Sequence, residues 1–115
     1  MTKASLSVRI DLPAGGRLGP GKAALLAAIR AEGSIAAAAR AMEMSYPRAL
    51  RLVDDMNTQF KAPVIEKYHG GQSRGGATLT ETGEAVLTAY QALAKKAAAA
   101  TAAERERFSA LTKRG

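Results

Sequence analysis

Arg48 and Arg51 are the residues of this chain best placed to do chemistry. Three apart on a helix, they share a face, and each guanidinium can donate two parallel hydrogen bonds to the O6 and N7 acceptors of a guanine edge. Such a match is worth about 1–3 kcal/mol of base discrimination. One turn on, Asp54 and Asp55 come round to the same side and would repel phosphates. A groove-facing surface is thereby confined to Ser45, Tyr46, Pro47, Arg48 and Arg51. The competing account is a solvated basic face with pairs such as Arg51 and Asp55. Arg74 stands among glycines in the segment 69–76, as an arginine offered to a narrow A·T minor groove would. Lys67, Gln72 and Ser73 would accompany it on phosphates. Against this stands a mobile loop with one incidental charge.

Other chemistry finds little support. Residues 16–22 match GxxxxGK, but Ala23 replaces the Ser or Thr that would hold Mg²⁺, and Pro20 removes a backbone donor from any phosphate cradle. The chain has too few strands for a nucleotide-binding parallel sheet. His69 is the one histidine and has no metal-ligand partner nearby in sequence, so a surface loop residue is the simpler reading. Ser34 and Ser45 read as helix caps rather than nucleophiles, because no base is placed near them. There is no cysteine, hence no disulfide or thiolate metal site, and no cofactor is expected. The chain is not expected to be an enzyme.

The elements that must hold those arginines are written in the apolar spacing. Ile35, Ala38, Ala39 and Met42 form one helical stripe; Tyr46, Ala49, Leu50, Val53, Met56 and Phe60 form the next. Ser34 and Ser45 stand at their N-caps, and the alanines at the crossing let the two helices approach closely. This is the layout of a helix-turn-helix, whose second helix enters a major groove. Ahead of it, Leu6, Val8 and Ile10 alternate with polar neighbours and predict a short half-buried strand, followed by a glycine-rich turn over 13–21. A first helix over about 20–32 carries Leu25, Leu26 and Ile29 and stops at Gly33. Residues 62–68 and 77–80 predict two strands flanking a flexible tip, a wing. From Glu81 onward the spacing predicts one long helix with a seam of Val86, Tyr90, Leu93, Ala97 and Ala100, weakening past Thr101 where Glu104 takes the next position. An alanine-rich helix of that length needs a packing partner, and the same helix of a second subunit is the expected one.

The net charge of +7 in 115 residues suits a polyanionic partner, but the excess is spread along the whole chain, so placement carries the argument. Two Phe, three Tyr and no Trp leave little surface for stacking unpaired bases. The longest apolar run, residues 23–29, is too short for a bilayer, and no membrane partner or signal peptide is expected; the expected location is the cytoplasm.

From Ser34 to Gly83 the chain resembles the DNA-binding domain of LysR-type regulators. The carriers are Gly33-Ser34-Ile35, Ala38-Ala39, Met42-Glu43-Met44-Ser45, Pro47, Pro63-Val64-Ile65-Glu66-Lys67 and Leu79-Thr80-Glu81-Thr82-Gly83. The resemblance sharpens toward ModE-type molybdate-responsive regulators, through the leading strand, the Gly19-Pro20-Gly21-Lys22 entry, Met44-Ser45-Tyr46 and the doubled glycines of the wing. It covers roughly residues 5–93. Pro47 stands where ModE-like chains place a lysine and LysR-like ones a proline. The oxyanion-binding subdomains that ModE-type proteins carry after the DNA-binding half are not expected here.

The expectation is therefore a mainly α winged helix-turn-helix over 1–80, with a short N-terminal strand and a two-stranded wing, and a long dimerisation helix over 81–115. Its expected function is sequence-specific binding of double-stranded DNA as a homodimeric transcriptional regulator. The DNA-contacting set is Ser34, Ser45, Tyr46, Pro47, Arg48, Arg51, Lys67, Gln72, Ser73 and Arg74; the dimer seam is Val86, Tyr90, Leu93 and Ala97. The alternatives are a basic protein–protein interaction module and a non-specific nucleic-acid-binding protein.

Overall fold

The computed structural model describes residues 3–69 and 75–113. Its elements run β1 (Ile10–Asp11), β2 (Arg17–Leu18), α1 (Pro20–Glu32), α2 (Ile35–Ala41), α3 (Tyr46–Gln59), β3 (Ile65–Tyr68), β4 (Gly76–Leu79), α4 (Glu81–Ala100) and α5 (Ala102–Leu111). One core joins them. Leu25, Leu26 and Ile29 of α1, Ala38 of α2, and Ala49, Val53 and Met56 of α3 are fully enclosed, with Val64 and Leu87 closing it from the wing and α4. Alanines at the α2–α3 crossing let two short helices share this core with little side-chain volume.

The helix ends follow from local chemistry. Pro20 starts α1, where a missing N–H costs nothing. Gly33 ends it at φ 81°, a left-handed conformation that a Cβ would strain. The Ser34 hydroxyl accepts from Ala37 N at 3.0 Å, and the Ser45 hydroxyl from Arg48 N at 3.3 Å, so both serines cap the helices they precede. Between them, Glu43 N donates to Arg40 O and Met44 N to Ala39 O, the paired bonds of a Schellman turn. Glu43 occupies its left-handed position at φ 54°, where glycine is the usual residue.

The wing is antiparallel, with Ile65 opposite Leu79 and Tyr68 opposite Gly76. It is tied down at both ends. Ala77 N donates to Gly33 O at 2.9 Å, linking β4 to the end of α1. At the other end Thr80 N donates to Val64 O, the Thr80 hydroxyl donates to Pro63 O at 2.6 Å, and the same hydroxyl accepts from Gly83 N, capping α4. Gly83 lies so close beneath the Val64 carbonyl that a Cβ would stand 2.1 Å from that oxygen. The Leu79-Thr80-Glu81-Thr82-Gly83 run is thus the joint between wing and last helix.

Two expectations need correction. The strand through Leu6, Val8 and Ile10 shrinks to Ile10–Asp11, paired with a second short strand inside the glycine-rich turn. The segment before it hands its backbone to side chains instead: Val8 O accepts from the Tyr90 hydroxyl at 2.6 Å, and Ala4 N donates to Ser109 Oγ at 2.8 Å. The single long C-terminal helix is broken at Thr101 (φ −113°). There the Thr101 hydroxyl donates back to Ala97 O at 2.8 Å, and Arg105 donates to Ala98 O and to Thr101 Oγ1, satisfying carbonyl and hydroxyl groups at the break. Leu87 and Tyr90 belong to the common core, so the first half of α4 packs with the helices before it.

Candidate nucleic-acid interface

Helix α3 is amphipathic, and the core takes one side of it. Ala49, Val53 and Met56 point inward, which leaves Pro47, Arg48, Arg51, Asp54 and Asp55 exposed on the other. Among the described residues the ion pairs are Arg30–Glu84 at 2.9 Å and Arg9–Asp11 at 3.4 Å. Arg51 and Asp55 do not pair despite their i, i+4 spacing, so neither Arg48 nor Arg51 is held by a carboxylate there. Both guanidinium groups are free to donate to an incoming acceptor. Asp54 and Asp55 limit that cationic surface to the first two turns.

Tyr46 departs from the expected stripe. Its position faces the same side as Val53, yet the ring is 47 % exposed, because the first turn of α3 projects past the edge of the core. It lines a cleft of about 290 Å³ with Ser34 at the start of α2 and with Lys67, Tyr68 and His69 of the wing. Ser34, Tyr46 and Lys67, chosen from three separate stretches of sequence, thereby meet at one site. Gln72, Ser73 and Arg74 lie outside the described residues.

Asn57 was missed in the sequence and holds this arrangement together. Its side-chain carbonyl accepts from Val64 N at 2.8 Å and from Ile65 N at 3.1 Å, and its amide donates to Ile65 O at 3.3 Å. One side chain of α3 therefore satisfies three backbone groups at the root of β3 and fixes the wing relative to α3. The only signal in the sequence was an Asn one residue after Met56, in a helix interior that such a side chain disfavours.

The remaining candidates fall elsewhere. Lys22 of the GxxxxGK match donates to Arg17 O at 2.9 Å and to Gln59 Oε1 at 3.3 Å, bracing the hairpin against α3. In the expected dimer seam, Tyr90 is only 7 % exposed and its hydroxyl is engaged by Val8, so it is covered within its own chain. Val86 and Ala97 are half-buried, while Leu93 at 41 %, Phe108 at 64 % and Leu111 at 81 % are open to solvent. Among the described residues no helix is long and apolar enough to cross a membrane.

Comparison with known proteins agrees with this geometry. Residues 22–84 match the family described as bacterial regulatory helix-turn-helix protein, lysR family. The molybdenum-pterin-binding protein MopB of Rhodobacter capsulatus is 47 % identical over 79 residues, covering 69 % of this chain and 29 % of MopB. The molybdenum transport protein ModE of Azotobacter vinelandii is 36 % identical over 84 residues, 73 % of this chain and 31 % of that one. The chain thus spans under a third of the length of these relatives. In three dimensions it is similar to the DNA-binding domain of CbnR in a crystal structure with DNA, at TM-score 0.60 and 22 % identity, covering 74 % of this chain and 92 % of that domain. The winged fold, the capped helix pair and the family match converge: the chain belongs to the lysR family of bacterial regulatory helix-turn-helix proteins, whose helix-turn-helix domain binds DNA.

Proposed function

We propose that this chain regulates transcription by reading double-stranded DNA as a homodimer, with the first two turns of α3 in the major groove. The observation that carries the reading is the exposed, carboxylate-free pair Arg48 and Arg51 at the open end of α3, beside a wing fixed to that helix by Asn57. Arg48 and Arg51 contact base edges; Ser34, Ser45, Tyr46, Pro47 and Lys67 orient the helix on the backbone; Gln72, Ser73 and Arg74 extend the contact along the wing. The apolar residues left open on α4 and α5, Leu93, Phe108 and Leu111, pair with their mates in a second copy, together with Val86 and Ala97. Two recognition helices about 34 Å apart then meet half-sites one helical turn apart.

Selection of bound sequences from random duplex DNA tests the reading, because a basic surface alone gives salt-dependent binding without sequence preference. The expected result is an enriched motif with two-fold symmetry. Recovery of unenriched DNA would reduce the protein to a non-specific binder, and no recovery would point to a protein-binding module.

A further inference from the structure

The break at Thr101 lies where the sequence gives little reason for one. Residues 97–103 read Ala-Ala-Ala-Ala-Thr-Ala-Ala, with neither glycine nor proline, and such a run favours a continuous helix. The Thr101 hydroxyl, bonded back to Ala97 O, makes a bend easy but fixes neither its direction nor its size. No residue of α5 is buried, so packing on the core does not aim this helix either. Among the described residues, one hydrogen bond reaches α5 from outside α4 and Thr101, and it comes from the other end of the chain. Ala4 N donates to Ser109 Oγ at 2.8 Å, and the Ser109 hydroxyl in turn donates to Arg105 O at 3.2 Å.

Residues 4–8 therefore form a strap across the break. Before the break the Tyr90 hydroxyl holds it at Val8 O; beyond the break Ser109 holds it at Ala4 N. Ala4 and Val8 are half-buried while Ser5 and Ser7 between them are exposed, as in an extended segment with one side laid against the helices. Between the two anchors, the half-buried Ala94, Ala98, Thr101 and Arg105 recur at the three- and four-residue steps of one helical face. A straight helix would carry Ser109 about 28 Å beyond Tyr90, twice the span of about 14 Å that residues 4–8 cover when fully extended. A bend toward the strap shortens the distance it has to bridge.

We infer that this strap sets the bend between α4 and α5, and through it the separation of DNA half-sites that the dimer accepts. The inference rests on the homodimeric DNA-binding reading above and deepens it by naming what fixes its geometry. Leu93 lies before the break, and Phe108 and Leu111 lie after it. The bend therefore governs how the two parts of the proposed interface meet their mates, and hence where the two α3 helices point. One added base pair moves a half-site by about 3.4 Å and turns it by about 35°, so a small change of bend alters the preferred spacer. Ala4, Val8, Tyr90 and Ser109 are positioning residues in this account, acting on DNA through the placement of α5.

Ala4→Pro and Ser109→Ala cut the same hydrogen bond from its two ends, the first by removing an N–H from an extended segment that tolerates proline. Both lie away from α3 and the wing. The chain has no cysteine, so nitroxide labels on Thr88→Cys and Glu106→Cys, both exposed positions, read the distance across the break by pulsed electron paramagnetic resonance. Labelled chains are diluted in unlabelled ones so that only distances within one chain count. With the strap intact the distance should be single and narrow. Both strap variants should broaden it and lengthen it toward the value of about 27 Å along an unbroken helix, whereas Ser109→Thr, which keeps the hydroxyl, should not. On duplexes carrying the selected half-sites at a series of spacer lengths, wild type should favour one spacer. Both variants should lose that preference while keeping their affinity for a single half-site. A bond that merely stabilised the fold would lower the melting temperature and leave both readouts unchanged. Unchanged label distances would overturn the strap, and changed distances with an unchanged spacer preference would overturn its effect on DNA. A wild type that enriches no two-fold motif would overturn the dimeric reading itself, while the label distances still decide whether the strap sets the bend.

Discussion

At the scale of single residues, the energetics divide between those that touch DNA and those that hold the ones that do. Alanine at Arg48 or Arg51 should cost about 1–3 kcal/mol of binding to the selected site while leaving affinity for scrambled DNA nearly intact. Titrating each variant against both duplexes checks this, and an equal small loss on both would reduce the arginines to phosphate contacts. Glu43 presents the opposite case, a side chain in a conformation it does not favour. Glu43→Gly should raise stability by about 0.5–1 kcal/mol, read as a higher denaturant midpoint at unchanged slope. The caps Ser34 and Ser45 were legible in the sequence because a hydroxyl before an apolar stripe has one common use. Asn57 and Glu43 were not: one acts on backbone groups seven and eight residues away, and the other is defined by a dihedral angle that residue type does not announce.

At the scale of elements, apolar spacing located α1, α2 and α3 almost to the residue, since each helix has a single buried stripe and a visible stop. It placed both wing strands as well. It failed where backbone partners are side chains from far along the chain, as at Leu6 and Val8, and at Thr101, where composition stays helix-forming through the break. The joint between wing and α4 is the element most sensitive to a single methyl group. An alanine in a helix ordinarily gains about 1 kcal/mol over glycine. Gly83→Ala should instead lose about 1–3 kcal/mol, because the added carbon meets the Val64 carbonyl rather than a side chain that could yield. Thermal melting measures the sign. The entry to α1 yields a further expectation, since Lys22 is engaged by Arg17 and Gln59. Molybdate should not raise the melting temperature of this chain above the effect of sulfate. An oxyanion bound at a hundred times its dissociation constant would add about 2.7 kcal/mol, so a selective rise with molybdate and tungstate would be plain and would refute the expectation.

At the scale of the whole molecule, the chain is longer than a compact domain of its size. Its radius of gyration is 16.7 Å, against about 13 Å for a globule of this length, and it measures 57 Å along its longest axis. Helices α4 and α5 carry Leu93, Phe108 and Leu111, all exposed among the described residues. Leu93→Asp combined with Phe108→Asp should convert a dimer to a folded monomer in sedimentation, with helical content retained because neither side chain supports the core. A dimer that survives both charges would move the interface off this face. The sequence spacing predicted a seam that included Tyr90, whereas Tyr90 is covered within its own chain, since the period of a stripe cannot say which of two neighbours covers a given residue.

The bonds from Val8 to Tyr90 and from Ala4 to Ser109 also set a timetable. These partners are separated by 82 and 105 residues, so the segment before β1 has nowhere to dock until α4 and α5 are made. At about 5–20 residues per second, Val8 waits roughly 4–16 s for Tyr90 to be added. The three-helix core and wing can close within that interval, and the amino end joins them afterwards.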